Sequence, residues 1–166
     1  MYTEINPIDK IDDLSELLSA QSFEIKTASD KGYDWLENRS VCFVVHNTVC
    51  ENTMEITLED DNEFTLFFAG HHCHYFSDEE DFECLCNDLK DILENKRCVA
   101  SIFYGEDKLL GDTLLGAKAI HHAYQDNFAF VLLEHKEFRE KLKKYGGYVH
   151  YSFWNCKDDI RIEIEA

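Results

Sequence analysis

Three imidazoles and a thiol occupy four consecutive positions, His71-His72-Cys73-His74, the densest run of metal-ligating side chains in the chain. Alternate residues of an extended strand share a face. If residues 63–76 form one strand, His72 and His74 lie with Phe64, Leu66, Phe68 and Phe76, and two histidines at i,i+2 can grip zinc or another transition metal once a third ligand arrives. A bulge or turn at Gly70 reverses the parity and puts His71, Cys73 and Tyr75 on that face instead. His46, His150 or an acidic residue completes such a site only through tertiary contact. Specific zinc motifs carry two spaced ligand pairs, whereas this is one cluster. The expectation is therefore no metal and no cofactor, with a small metal-dependent hydrolase using His71 to His74 kept as the alternative.

Other chemistries fail on the neighbouring residues. His72-Cys73 matches the start of a cysteine phosphatase loop, but that loop needs small residues and an Arg to cradle phosphate, and here His74-Tyr75-Phe76-Ser77-Asp78-Glu79 follows. Gly111-Asp112-Thr113-Leu114-Leu115-Gly116-Ala117-Lys118 misses the P-loop pattern: Ala117 separates the second Gly from the Lys, and Ala119 stands where a magnesium-binding hydroxyl belongs. Cys84 and Cys86, two apart on a helix, point about 200° from one another and cannot share a metal. No pattern selects a catalytic residue.

The second candidate is electrostatic. Between Asp78 and Glu94 the segment carries eight acids, Asp78, Glu79, Glu80, Asp81, Glu83, Asp88, Asp91 and Glu94, against the single Lys90. First-turn acids complement the helix dipole, and a charged outer face keeps a helix soluble. Those roles do not require Asp88, Asp91 or the further run Glu59-Asp60-Asp61. The expected partner-binding set is Asp78, Glu79, Asp81, Glu83, Asp88 and Asp91, with Asp88 and Asp91 contributing more than the first-turn acids.

The elements that position these residues follow from periodicity. Ile11, Leu14, Leu17 and Leu18 predict a short amphipathic helix over 10–20. Three β-rich runs at 41–48, 53–58 and 63–69, separated by polar turns, read as an antiparallel meander. Ser77 and Glu80 have capping-box spacing, and Phe82, Leu85, Cys86, Leu89, Ile92 and Leu93 give the helix over 77–95 one broad apolar face. Further strands are expected at 97–104 and 127–133, with residues 106–126 ambiguous between strand and helix. A second helix over 135–145 shows Phe138, Leu142 and Tyr145 on one face and stops at Gly146-Gly147. Tyr148–Trp154 and the alternating Ile160, Ile162 and Ile164 close the chain as a hairpin. The expected fold is α+β, a single domain over 1–166 with a mainly antiparallel sheet packed against two or three helices.

Charge and composition limit the partners. The chain of 166 residues has a net charge of -18, from 34 acidic and 16 basic residues, which repels nucleic acid and anionic lipid and attracts basic proteins. Its 45% hydrophobic and 13% aromatic content is that of a folded chain, not a disordered one. The start, Met1-Tyr2-Thr3-Glu4-Ile5-Asn6, has no signal-peptide pattern, and no apolar run approaches the roughly 18 residues of a membrane span. Seven cysteines, an odd number lying mostly in apolar patterns, argue against a disulfide framework and for a reduced, cytoplasmic protein.

In character the chain resembles the immunity proteins of bacterial polymorphic toxin systems. The resemblance lies in the small acidic α+β domain, with Phe67-Phe68-Ala69-Gly70-His71-His72-Cys73-His74-Tyr75 running into the acidic helix and Trp154-Asn155-Cys156-Lys157-Asp158-Asp159 near the end. It implies a binding module without turnover that silences a basic toxin, often a nuclease. A structural or regulatory subunit is the remaining alternative.

Overall fold

The computed structural model describes residues 3–37, 39–120 and 136–166. Its class is α+β with antiparallel pairing throughout, as the sequence predicts, and the strands are divided between two sheets. The chain forms two compact units, Met1–Lys90 and Asp91–Ala166.

The first unit begins with a 3-10 turn Pro7–Lys10 and helix α1 (Ile11–Leu17). Strands β1 (Ser22–Lys26), β2 (Val41–His46), β3 (Thr53–Leu58), β4 (Glu63–Phe68) and β5 (His71–Phe76) follow, then helix α2 (Glu79–Leu93), in whose last turn the division between the units falls. The sheet order is β1-β2-β3-β4-β5, a meander in which each strand pairs with its chain neighbour. Register aligns Phe43, Ile56 and Leu66 in one row and Val41, Leu58 and Phe64 in another, so the large apolar residues gather on one face. Leu14, Phe82, Leu85 and Leu89 are buried with them, and Phe82 packs on Phe64 with ring centroids 5.3 Å apart. The opposite face of β2 is also covered, since Leu36 and Tyr33 pack on Cys42 and Val44. Burial on both faces explains why Val41-Cys42-Phe43-Val44-Val45 is a continuous apolar run without alternation. Strand β1, short and with Glu24 and Lys26 in alternation, is absent from the sequence-based assignment.

The second unit holds β6 (Arg97–Tyr104), β7 (Lys108–Gly116), helix α3 (Lys136–Tyr145), β8 (Gly147–Ser152) and β9 (Ile160–Ile164), in the order β7-β6-β8-β9. The ambiguous stretch 106–126 thus begins as a hairpin partner of β6, with a bulge at Ile102/Phe103. The strand expected at 127–133 lies outside the described residues. Cys98, Ala100, Ile102, Val149, Tyr151 and Phe153 form the core beneath Leu142, with Phe138, Ile162 and Ile164 packed against it. Tyr145, expected on the same face as Leu142, is instead 52% exposed. The Gly146-Gly147 stop has two physical reasons. Gly146 ends α3 at φ 63°, its N–H donating to the Leu142 carbonyl at 2.9 Å. At Gly147 a Cβ would lie 2.1 Å from the Phe103 carbonyl oxygen, so no larger residue fits against β6.

Cysteine chemistry departs from expectation. Cys42, Cys73, Cys84, Cys86 and Cys98 are free thiols, but Cys50, in the β2–β3 turn, and Cys156, in the 3-10 turn Cys156–Asp158, are disulfide-bonded. An odd count excludes complete pairing and says nothing about individual cysteines, so the count by itself does not fix the compartment. Among the described residues no helix is long and apolar enough to cross a membrane.

Candidate functional site

Ala69 and Gly70 decide the geometry of the histidine cluster. Both take positive φ, 50° and 82°, as the two-residue turn of a twisted hairpin requires, so residues 63–76 fold into two paired strands rather than one. The parity is therefore the one that a turn at Gly70 dictates. His71, Cys73 and Tyr75 stand beside Phe68, Leu66 and Phe64 on the core face, while His72, His74 and Phe76 face outward opposite Phe67, Thr65 and Glu63.

The pleat splits the cluster two and two. On the inner side His71 Nε2 lies 3.1 Å from Cys73 Sγ, and the Tyr75 hydroxyl donates to Asp88 Oδ2 at 2.8 Å. Burial, reinforced by the Asp88 carboxylate, pushes the Tyr75 phenol far above its ordinary range, so it serves as a fixed donor and not as a base. On the outer side His74 Nδ1 is 2.7 Å from Glu63 Oε1 and 3.4 Å from Thr65 Oγ1, and the His72 ring stacks on Phe67 at 5.8 Å. Among the described residues no three His, Cys, Asp or Glu side chains are grouped to hold a metal ion.

The six acids expected to bind a partner have unequal roles. Asp78, not Ser77, caps α2: its Oδ1 accepts the Asp81 N–H at 2.8 Å. Asp81 reaches back through Oδ2 to accept the Phe76 N–H at 2.6 Å, and Glu79 holds Lys10 Nζ at 2.9 and 3.0 Å. Asp88 is the acceptor for Tyr75, and Asp91 lies 3.9 Å from Arg97 Nε. Glu83 is exposed, as is its neighbour Glu80, and neither forms an ion pair among the described residues. The acidic turn is likewise engaged, Asp60 and Asp61 both accepting from the Asn6 amide at 2.8 and 2.7 Å. Sequence spacing counts these carboxylates as one surface, but caps and buried hydroxyls draw several of them into the fold.

The charge itself is unevenly distributed. Residues 1–90 hold 21 acidic against 5 basic residues, and residues 91–166 hold 13 against 11, so the first unit carries -16 and the second -2. The second unit has instead an open cleft of about 660 Å³ between the β6–β7 turn and α3, where Lys141 Nζ lies 5.2 Å and Lys108 Nζ 5.7 Å from the Tyr104 ring centre. Its opposing Glu106, Glu137 and Glu140 balance those lysines and Lys144. The outward face of the β4–β5 hairpin, which the sequence does not single out, exposes Phe76 (77%) and Phe67 (39%). In the sequence, the dipeptide Ala69-Gly70 is the signal of that hairpin. No family model, curated protein or solved structure matches this chain.

Proposed function

We propose that the protein is a non-catalytic binding module whose first unit docks a basic protein partner, in the manner of an immunity protein neutralising a basic toxin. The observation that carries the reading is the charge asymmetry: 21 acids against 5 bases within residues 1–90, beside a second unit near balance. Solubility does not need so one-sided a distribution, and an acidic face raises the encounter rate with a basic partner by electrostatic steering. Exposed Glu80 and Glu83 are the acids on α2 most available for it, with Asp78, Glu79, Asp81, Asp88 and Asp91 adding field while serving the fold. Nucleic acid and anionic membrane are repelled by the same field.

The test uses a lysine homopolymer as probe, with binding kinetics followed from low to high salt. The association rate falls steeply as salt rises, because screening acts over about 8 Å at physiological ionic strength. The dissociation rate changes much less. Glu80→Gln with Glu83→Gln slows association at low salt while the melting temperature stays unchanged. Association indifferent to salt and to these substitutions overturns the reading. Action on a toxin made in the same cell places the protein in the cytoplasm, whereas bonded Cys50 and Cys156 are of a kind that persists where thiols are not kept reduced. Fractionation of producing cells separates the two compartments.

A further inference from the structure

We infer that the edge of β5, which pairs with no further strand among the described residues, receives a β-strand from the basic partner, extending the first unit's sheet by one strand. The inference rests on the reading above for the partner's charge and adds where and how it docks. A two-residue turn makes Phe68 and His71 the first hydrogen-bonded pair of the hairpin, and bonded pairs then recur at every second residue, Leu66 with Cys73 and Phe64 with Tyr75. The main-chain groups of the intervening His72, His74 and Phe76 point away from β4. At Phe76 they are already used, its N–H donating to Asp81 Oδ2 at 2.6 Å and its carbonyl accepting the Asp78 N–H at 2.9 Å. At His72 and His74 the N–H and C=O of each residue face the position of a sixth strand.

Sheet edges are ordinarily protected by charge, proline or a bulge. The edge strand β1 has Glu24 and Lys26, β7 has Lys108, Asp112 and a facing bulge, and β9 has Arg161 and Glu163. Strand β5, His71-His72-Cys73-His74-Tyr75-Phe76, has no charged or proline residue in its six positions. Its outward face adds Phe76, 77% exposed, which the side chains of an added strand would cover, and His72, whose ring stacks at 5.8 Å on the 39% exposed Phe67 of β4. A second copy of this chain fits poorly there, since it brings another unit of -16 to an edge already flanked by Glu63, Glu79 and Glu80. An extended segment alternating basic and apolar residues matches both the charge and the exposed Phe76.

The experiment presents the full chain with a blocked peptide alternating lysine and valine, and with the same peptide N-methylated at every second residue so that it cannot pair. The wild-type chain binds the first peptide, and binding of the methylated one is weaker by about tenfold or more. His72→Pro with His74→Pro gives a similar loss, because proline is tolerated on an edge whose N–H groups face outward. On binding, the backbone amides of His72 and His74 become protected from hydrogen exchange, a readout that needs no substitution and holds even where the proline variant fails to fold. Equal, salt-sensitive binding of both peptides without amide protection overturns edge docking and leaves the acidic-surface reading standing. Absence of binding at low salt overturns both. A dimer of the protein alone, with His72 and His74 protected before any peptide is added, assigns the edge to a second copy and overturns the proposal.

Discussion

At Ala69 the backbone conformation of the turn sets the orientation of the six side chains of β5. Left-handed φ is costly for a residue with a Cβ, and the preferred pair in such a turn is Asn-Gly. Ala69, at φ 50°, therefore holds a strained position, and Ala69→Asn should stabilise the first unit by about 1 kcal/mol, read as a raised denaturant midpoint. The buried thiols make a second residue-scale case. Burial, with Glu55 near Cys42 and Asp159 near Cys98 adding to it, pushes both thiols up from 9.0 to about 12. Above pH 9.0 the unfolded chain releases these protons while the folded chain keeps them until about pH 12, so the unfolded state binds fewer protons and stability falls as pH rises through that window. Melting temperature measured across the window should decline, and the slope should be shallower for Cys42→Ala. Equal slopes would remove Cys42 from the explanation.

Among the elements, α2 bears the most on the fold and on the proposed binding surface. Its apolar positions Phe82, Leu85, Leu89 and Ile92 are all buried, as their helical spacing predicts, while its N-terminus is held by Asp78 and Asp81. Leu89 is fully buried, and Leu89→Ala should cost about 2–5 kcal/mol in chemical denaturation, the range for a leucine removed from a packed core. An unchanged transition would mean that the helix contributes little to the core. The same helix shows why a count of carboxylates overstates a binding face: Asp78 and Asp88 each satisfy a donor of the chain itself, the Asp81 amide and the Tyr75 hydroxyl. Strands β4 and β5 show the reverse case, in which the apolar side chains of Phe67 and Phe76 are exposed among the described residues.

For the molecule as a whole, two properties stand apart from any one element, the partition of charge and the state of the cysteines. Five thiols are free and Cys50 and Cys156 are bonded. Titration of denatured protein prepared without reductant should therefore count five thiols, rising to seven after reduction. Seven before reduction would restore the reading of a fully reduced chain. The partition of charge, -16 in residues 1–90 against -2 in the remainder, makes salt-dependent association a property expected of the first unit.

The sequence by itself determined the features that rest on local periodicity or on composition. Leu85 and Leu89 recur one turn apart, Ile162 and Ile164 alternate with charge, and the acidic excess is a simple count, so helix α2, the closing hairpin, the antiparallel α+β class and the sign of the field were all legible. Tertiary structure alone decided the rest, because those questions concern which groups meet. A helical period cannot tell that Asp88 will find the Tyr75 hydroxyl 13 residues back, or that Leu36 will cover the second face of β2. The histidine cluster lies at the boundary between the two. Sequence offered both parities, and the pair of positive φ angles at Ala69 and Gly70 chose one, because a two-residue hairpin turn folds the strand back and reverses which alternate residues face the core.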